Sequence, residues 1–234
     1  MKYMSKIKDN FIVVILCGGE GQRLRPLTKK IPKPLIRIKD KSIIEYIINH
    51  FQKFNINNIF IATGYRHMQL KNFIENKYKN KNIQILNTGL KSEIINRIKK
   101  ITKNKDKDII LCYGDTLVDI NLNKLIQFYL NNKNKFIMSS YQLKSNFGII
   151  DVARNDEVKS FKEKPELGIW FNIGYFIFAN RYLKQMNYHN KFKDFLYFLA
   201  KHKKMKTFKH KGKHITVNTI SELEKAREQI IKFI

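Results

Sequence analysis

Residues 11–28 read FIVVILCGGEGQRLRPLT, and this stretch decides the fold. The first seven residues are all apolar, as expected for a strand that is covered on both faces of a parallel sheet. Glycines follow directly at positions 18, 19 and 21. In open α/β sheets, ligands bind at the carboxyl ends of the strands, so the stretch predicts an α/β fold with a ligand at this loop.

Downstream of the first strand, short β-branched runs alternate with helical patterns. Ser42 and Glu45 have the spacing of a capping box, at the start of a helix expected to end near Phe54. The alternation predicts a doubly wound sheet with right-handed crossovers. The further strands are expected at 59–63, 83–87 and 109–113, and the further helices at 68–78, 93–101 and 122–132.

The second half of the chain has a different rhythm. Strands expected at 136–142, 148–152, 158–161 and 173–178 are separated by short loops, which predicts antiparallel pairs that extend the sheet. Helices at 194–201 and 221–233 enclose short strands at 207–209 and 214–217. Because no linker, repeat or low-complexity tract interrupts the chain, we expect a single domain over 1–234, with residues 1–10 as a flexible N-terminal extension.

The charge balance raises the question of a polyanionic partner. The chain has 46 Lys and Arg against 19 Asp and Glu, a net charge of +27, which is typical of nucleic-acid or acidic-membrane binding. Only eight of the 46 cations are Arg, whereas sequence-specific groove readers favour Arg. Even the acid-free stretch 195–221 spaces its aromatic residues as a helix core would. Nucleic acid is therefore not the expected partner, and the lysines also fit a simple compositional bias.

The cysteines and the hydrophobic runs indicate the cellular compartment in which the protein is expected. Cys17 and Cys112 each end an apolar run and lack the spacing of metal ligands, which favours buried thiols in a reducing setting. The longest apolar run is too short to cross a bilayer, and no signal-type segment follows the N-terminus. We expect a cytoplasmic protein without membrane insertion.

The glycine-rich loop also carries the cations Arg23 and Arg25, and Lys33 follows within a Pro-Lys-Pro segment. Glycines let backbone amides approach an anion closely, and the cations suit the oxygens of a triphosphate. The spacing fits neither a P-loop nor a dinucleotide-binding fingerprint. An ordinary glycine turn is the alternative interpretation, and the neighbouring cations favour the phosphate site.

The string GGEGQRLRPLT…IPKPL resembles the signature G-G-x-G-T-R-L-x-P-x-T…P-K-P of the sugar-phosphate nucleotidyltransferases. Within that family, NTG at 87–89 and NRIKK at 96–100 are most similar to the D-T-G…G-R-L-K-R stretch of glucose-1-phosphate cytidylyltransferases. The resemblance covers about residues 11–220 and implies a Rossmann-like, GT-A-like three-layer sandwich around a mixed, mainly parallel sheet. The remaining motifs follow in the family's order: YGD at 113–115, FKEKP at 161–165, NIGYF at 172–176 and VNT at 217–219.

The resemblance implies a Mg²⁺-dependent transfer of a nucleoside monophosphate, CMP from CTP, to a phosphorylated acceptor, a sugar 1-phosphate. Pyrophosphate would be the second product, and the enzyme could form a homo-oligomer. It implies catalytic roles for Arg23, Lys33 and Asp115, with the metal held by Asp115 and more weakly by Asn218. The implied nucleotide-binding residues are Cys17, Gly18, Gly19, Gly21, Gln22, Arg23, Thr88, Gly89 and Gly114, and the implied acceptor-binding residues are Glu163, Lys164, Asn172 and Gly174.

Three positions depart from the family pattern. Gln22 replaces a usual Thr, residues 90–95 lack the family's glycines, and Asn218 stands where a second metal-binding Asp is usual. A neutral amide oxygen can still bind Mg²⁺, but more weakly than a carboxylate. Two alternatives therefore stay open: the same chemistry on a non-sugar acceptor such as phosphocholine or phosphoglutamine, or a non-catalytic protein that binds nucleotide or polyanion.

Overall fold

The structure is a computed structural model that describes residues 7–79, 81–133 and 135–230. Its strands are β1 (Phe11–Cys17), β2 (Arg37–Ile38), β3 (Lys41–Ser42), β4 (Ile59–Thr63), β5 (Ile83–Asn87), β6 (Asp108–Tyr113), β7 (Thr116–Val118), β8 (Phe136–Lys144), β9 (Ile149–Val152), β10 (Val158–Lys162), β11 (Glu166–Phe178), β12 (Met205–His210) and β13 (His214–Thr216). Its α-helices are α1 (Leu27–Lys30), α2 (Ile43–Lys53), α3 (His67–Lys77), α4 (Ile94–Thr102), α5 (Leu122–Asn131), α6 (Tyr182–Met186), α7 (Phe192–Lys201) and α8 (Ile220–Gln229).

A seven-stranded sheet in the order β12–β8–β11–β6–β1–β4–β5 forms the centre of the molecule. Six of its strands run in one direction and only β11 runs against them, which confirms the expected mixed, mainly parallel sheet. The chain moves from β1 to β4 and β5 on one side and returns to β6 on the other. The topological switch point therefore lies between β1 and β6, where open α/β sheets bind their ligands.

Helices cover both faces of the sheet, as the uniformly apolar β1 predicts. Val13 and Ile15 pack into one hydrophobic core, with α2, α3, α5 and α8. Ile12 and Val14 point the other way, into a second core with α4, α6 and α7. The structure is thus the three-layer α/β sandwich that the sequence predicts.

The start of α2 shows why local sequence signals succeed in this half of the chain. The backbone N–H and the hydroxyl of Ser42 both donate to the Glu45 carboxylate, at 2.7 and 2.6 Å, and the predicted capping box is present. The helix then buries its apolar face, which a capped amphipathic segment needs for stability. The strands predicted at 59–63 and 83–87 have the predicted bounds.

The prediction that all later strands extend the sheet is wrong for β9 and β10. These two strands form a separate antiparallel hairpin, and β13 pairs with β7 in a small sheet of its own. The reason is that β11 already lies between β8 and β6, and β8 already lies between β12 and β11, so neither has a free edge. The last strand of the main sheet, β12, joins β8 in the parallel direction.

The predicted N-terminal extension lies in part outside the described residues, since 1–6 are not among them. In the described part, Lys8 donates from Nζ to the backbone carbonyl of Phe54 at 2.6 Å. Ile7 packs against the larger core. The segment is therefore attached to the molecule from residue 7 onward.

Cys17 and Cys112 are both buried free thiols, as the sequence predicts. They lie on adjacent parallel strands, and neither has a metal-binding neighbourhood among the residues that the structure describes. Within those same ranges, every helix is too short or too polar to cross a bilayer.

Candidate active site

A cavity of about 560 Å³ opens at the carboxyl ends of β1 and β6, at the topological switch point. Both the glycine-rich loop after β1 and the Gly114–Asp115 turn after β6 face it. The sequence-predicted residues that line it are Cys17, Gly18, Gly19, Gly21, Gln22, Arg23, Lys33, Gly114, Asp115 and Asn218. Residues 200 positions apart in the chain thus meet at one site.

The glycine-rich loop keeps its backbone against the cavity through a tight internal turn. Gly21 has φ +64°, in the left-handed region that favours glycine. The Thr28 hydroxyl donates to the Gly21 carbonyl at 3.0 Å, and this hydrogen bond fixes the loop to the segment that follows it. Arg23 is exposed at the rim of the cavity, whereas Arg25 turns away and pairs with Glu20 at 3.2 Å. Of the two loop arginines, Arg23 is therefore the one placed to meet a ligand.

Lys33 joins the two sides of the cavity. Its ammonium donates to Asp115 Oδ2 at 2.7 Å and to Asn218 Oδ1 at 2.9 Å. The Lys33 side chain is only 11% exposed, so this contact is largely shielded from water. The Asp115 side chain is held in turn by the Thr116 hydroxyl, which donates to Oδ1 at 3.3 Å. The backbone carbonyl of Asp115 accepts a hydrogen bond from the Val217 N–H.

Asp115 and Asn218 are also the residues that could hold a metal ion. Their two oxygens converge on one cation, the Lys33 ammonium, and hard oxygen ligands of this kind suit Mg²⁺. No group of three or more His, Cys, Asp and Glu that could hold a metal occurs in the described ranges. The donor set therefore fits a Mg²⁺ ion that takes its other ligands from phosphate oxygens and water.

Gly114 allows β6 to lie against β1 at the floor of the cavity. A Cβ at this position would lie 2.5 Å from the Cys17 sulfur, and the Gly114 N–H donates to the Leu16 carbonyl at 3.0 Å. Burial, reinforced by the Asp115 charge, raises the pKa of the Cys17 thiol far above its ordinary value. Cys17 is therefore a neutral wall of the cavity and not a nucleophile.

Arg97, on α4, lines the cavity; the sequence places it in the family-like NRIKK stretch, but it was given no role of its own. Its guanidinium donates to the carbonyls of Thr63 and Leu90 and to the Thr88 hydroxyl, at 3.0, 3.0 and 2.6 Å. Its Nε donates to the Ser92 carbonyl at 3.0 Å. The sequence signal that could have indicated a buried, bonded arginine is its place on the apolar face of a helix. An arginine buried there must be fully hydrogen-bonded.

Thr88 and Gly89 are placed differently from the expectation that they bind nucleotide. Thr88 is buried, and its hydroxyl donates to the Thr63 carbonyl at 2.6 Å while accepting from Arg97. Neither residue is among the described residues that line the cavity. Thr88 instead holds Arg97, which in turn bonds the carbonyls of Leu90 and Ser92, and the Gly89 N–H donates to Asn87 Oδ1.

Asn172 and Gly174 lie next to the cavity through a contact with Tyr113, which lines it. Gly174 has φ +73°, and a Cβ there would lie 2.5 Å from Cδ2 of the Tyr113 ring. The Gly174 N–H donates to Asn172 Oδ1 at 2.8 Å, and the Asn172 side chain partly opposes the effect of burial on the pKa of the Tyr113 hydroxyl. Burial raises the pKa of Tyr113, so this hydroxyl stays protonated.

Glu163 and Lys164 are not brought to the cavity. They lie in the turn between β10 and β11, with side chains 60% and 66% exposed and their charged atoms 3.8 Å apart. The structure thus unites the phosphate loop, Lys33 and Asp115, places Asn172 and Gly174 beside them, and leaves this pair at the surface.

Comparison with known proteins shows the family to which this chain belongs. The sequence matches the Nucleotidyl transferase family over residues 12–228. The D-glycero-α-D-manno-heptose 1-phosphate guanylyltransferase of Campylobacter jejuni is 31% identical over 159 residues, which are 64% of this chain and 67% of that enzyme. The glucose-1-phosphate cytidylyltransferase of Salmonella typhimurium is 27% identical over 189 residues, or 70% of this chain and 73% of that one.

A solved structure of UDP-glucose pyrophosphorylase complexed with UDP-glucose is similar to this chain with a TM-score of 0.73. The match covers 95% of this chain and 99% of the other, at 19% identity, so it supports the shared fold. The family match spans nearly the whole chain. In the structure of this chain, the glycine-rich loop, Lys33 and Asp115 meet at one cavity. The chain therefore belongs to the nucleotidyl transferase family, among the sugar-phosphate nucleotidyltransferases.

Proposed function

We propose that the protein transfers a nucleoside monophosphate, CMP from CTP, to a sugar 1-phosphate in a Mg²⁺-dependent reaction. The observation that carries the proposal is the contact of Lys33 with both Asp115 and Asn218 in the cavity of the glycine-rich loop. The Lys33 ammonium next to the glycine-rich backbone suits phosphate oxygens, and the Asp115 and Asn218 oxygens suit a divalent cation that binds together with them.

The proposed reaction is a direct displacement at phosphorus. A phosphate oxygen of the acceptor attacks the α-phosphorus of the nucleotide in line, the bond from that phosphorus to the β-bridging oxygen breaks, and pyrophosphate leaves with the bonding electrons. No proton has to be abstracted, because the acceptor phosphate is already an anion. The rate enhancement therefore comes from positioning the two substrates and from stabilising the negative charge of the transition state.

Each part of the cavity has a role in this scheme. The backbone of Gly18 and Gly19 holds the triphosphate, and Arg23 at the rim and Lys33 at the floor stabilise the departing pyrophosphate. Lys33 is well suited to the task because its ammonium is already fixed at 2.7 Å from Asp115, so little entropy is lost when phosphate binds.

Asp115 and Asn218 would hold the metal. Asp115 is the only carboxylate among the described residues that line the cavity, so it supplies the negative charge that a divalent cation requires. Mg²⁺, when bound there, neutralises phosphate oxygens and orients the α-phosphate. Asn218 adds a neutral oxygen, and its own N–H donates to Glu222 at 2.6 Å, which fixes its backbone in place.

The choice of base is supported by the cytidylyltransferase-like residues at 87–89 and 96–100 and by the Salmonella typhimurium relative. The guanylyltransferase of Campylobacter jejuni makes GTP the rival. We assign the base to the region of Ser92 and Ile94, which line the cavity next to Arg97. We assign the acceptor to Asn172 and Gly174 beside Tyr113, with Glu163 and Lys164 reaching it when substrates are bound.

The test is a panel assay. The protein is incubated with Mg²⁺, each of the four NTPs and a set of acceptors that contains several sugar 1-phosphates, phosphocholine and phosphoglutamine, and pyrophosphate is measured. We expect release only when CTP and a sugar 1-phosphate are both present. Release with a non-sugar acceptor alone would transfer the proposal to that acceptor class. No release with any pair, together with tight salt-sensitive binding to DNA, would contradict it.

A further inference from the structure

The Lys33 ammonium contacts the same two side chains that would hold the metal. It donates to Asp115 Oδ2 at 2.7 Å and to Asn218 Oδ1 at 2.9 Å. An ammonium and a divalent cation both bind oxygen atoms that carry negative charge, and two cations that share one pair of oxygens repel each other. Lys33 and a metal ion therefore compete for Asp115 and Asn218.

The stem of Lys33 is held in place next to the glycine-rich loop. Lys33 lies between Pro32 and Pro34, at the start of a short 3₁₀ helix, and the prolines restrict the backbone on both sides. The stem packs on Gly21, where an added Cβ would lie 3.2 Å from Lys33 Cβ and 3.4 Å from Lys33 Cδ. The ammonium is thus confined to the region between the loop and Asp115.

The charges that face the cavity oppose a metal ion that arrives alone. The charged side chains among the described lining residues are three cations, Arg23, Lys33 and Arg97, and one carboxylate, Asp115. A divalent cation would add two positive charges to a site that is already positive. Nucleotide phosphates would supply the missing negative charge, and their oxygens would offer the Lys33 ammonium other acceptors.

Those other acceptors would lie within reach of Lys33. Because its stem packs on Gly21, a phosphate group held by the backbone amides of the same loop would lie beside the lysine. A lysine ammonium is a point charge on a flexible stem, so it can exchange one set of oxygen partners for another by rotating its last bonds. The stem can keep its place while the ammonium changes partners.

We propose that Lys33 excludes the metal from Asp115 and Asn218 until nucleotide phosphates bind, and that its ammonium then moves to those phosphates. Lys33 thereby couples metal binding to nucleotide binding, in addition to the contacts that the two ligands make with each other. The inference rests on the proposed function, because it requires a metal and a nucleotide at this cavity.

The first test is a titration with Mn²⁺ without nucleotide, in which electron paramagnetic resonance measures the free ion. Lys33→Met removes both hydrogen bonds to the metal-binding oxygens, so it should bind Mn²⁺ at least about tenfold more tightly than the wild type does. Arg23→Met is the matched control, because it removes one positive charge at the rim of the same cavity. Its affinity for Mn²⁺ should stay close to that of the wild type.

Equal Mn²⁺ affinities of the wild type and Lys33→Met would overturn the proposal. An equal gain in Arg23→Met would also overturn it, because the net charge of the cavity would then explain the effect. Circular dichroism checks the fold of each variant. If Lys33→Met does not fold, Lys33→Gln replaces it, since glutamine keeps a hydrogen-bond donor and removes the charge, and it should also bind Mn²⁺ more tightly than the wild type.

The second test measures the coupling to the nucleotide. The Mn²⁺ titration is repeated with α,β-methylene-CTP, from which pyrophosphate cannot leave. The analogue should raise the Mn²⁺ affinity by a larger factor in the wild type than in Lys33→Met, because only in the wild type does it draw a competing cation away from Asp115 and Asn218. Equal factors in the two proteins would contradict the exchange of partners.

This proposal and the proposed function can fail separately. Pyrophosphate release by the wild type, together with equal Mn²⁺ affinities of the wild type and Lys33→Met, would overturn the competition and leave the proposed function standing. Tighter Mn²⁺ binding by Lys33→Met, together with no pyrophosphate release by the wild type from any pair of substrates, would support the competition and contradict the proposed function.

Discussion

The ammonium of Lys33 lies 2.7 Å from the carboxylate of Asp115, a residue 82 positions later in the chain. This ion pair joins the segment after the glycine-rich loop to the end of β6 and so closes the cavity between β1 and β6. It also brings together the two charges that a triphosphate and its metal would need. The predictions about the cavity depend on this arrangement.

Asp115→Ala should abolish nucleotidyl transfer and leave the fold intact. The change removes the only carboxylate among the described lining residues, so kcat should fall about 10³-fold or more, as when a transition-state contact is lost. The measurement is the rate of pyrophosphate release, with circular dichroism as the check on folding. Asp151→Ala, an exposed site on β9, is the control and should keep the wild-type rate. Activity that survives in Asp115→Ala would show that the metal assignment is wrong.

Asn218→Asp should lower the Mg²⁺ concentration that gives half the maximal rate. A second carboxylate at the metal binds a hard cation more strongly than an amide oxygen does. Asn218→Ala should have the opposite effect, because it removes the oxygen that now lies 2.9 Å from Lys33. Titration of the rate with Mg²⁺ measures both shifts. Identical Mg²⁺ dependence in the two variants would mean that Asn218 does not contact the metal.

Gly18→Ala should destabilise the protein, whereas Gly19→Ala should not. A Cβ at Gly18 would lie 1.9 Å from Arg97 Nη1, and the guanidinium cannot move aside without breaking its hydrogen bonds. At Gly19 no other atom lies within 4 Å of the added Cβ. Overpacking of this kind costs about 1–3 kcal/mol. Urea unfolding of both variants measures the difference, and equal stabilities would contradict the packing of Arg97 under the loop.

Arg97→Lys should weaken nucleotide binding more than it slows the chemical step. A lysine carries one ammonium and cannot reproduce the fork that bonds Thr63, Thr88, Leu90 and Ser92 at once. The segment from Leu90 to Ser92 should loosen, and KM for the nucleotide should rise about tenfold, or ~1.4 kcal/mol. Steady-state kinetics separate KM from kcat. A fall in kcat at constant KM would instead place Arg97 in the reaction itself.

Stability should fall between neutral and mildly acidic pH because of two histidines. Burial lowers the pKa of His50 and of His214 to about 4. In the unfolded chain histidine titrates near 6.5, so the unfolded state binds more protons between these values. The free energy of unfolding should then drop by about 2 kcal/mol per histidine from pH 7 to pH 5.

His214→Phe tests this pH dependence. The ring packs between Tyr141 and Phe171, an aromatic neighbourhood that phenylalanine can also occupy. Urea unfolding at both pH values should show a smaller loss of stability in the variant than in the wild type. An unchanged loss would mean that His214 is not the titrating group.

The elements around the site could be predicted from the sequence where the signal is local. The apolar run of β1, the capping box at Ser42 and Glu45, and the glycines after β1 each act over a few residues, and all are present as expected. Asp115 could be placed at the cavity because it ends an apolar strand, and parallel strands end at the same edge of a sheet.

What escaped prediction depends on contacts between distant parts of the chain. The separation of β9 and β10 from the main sheet follows from which edges are already occupied, and a strand pattern does not specify its partner. Arg97 lines the cavity because Gly18, Thr63 and Thr88 surround its guanidinium, and the NRIKK stretch by itself does not indicate these contacts. The same limit applies to Glu163 and Lys164, whose motif could be seen in the sequence but whose position at the surface could not.

The fate of the α-phosphate tests the proposed function most directly. CTP labelled at the α-phosphorus is incubated with Mg²⁺ and a sugar 1-phosphate, and the labelled products are separated. We predict that the label appears in a nucleotide sugar, with one pyrophosphate released for each label transferred. Label that stays in CTP, or that appears only in free CMP or CDP without a sugar conjugate, would contradict nucleotidyl transfer to a sugar 1-phosphate by this protein.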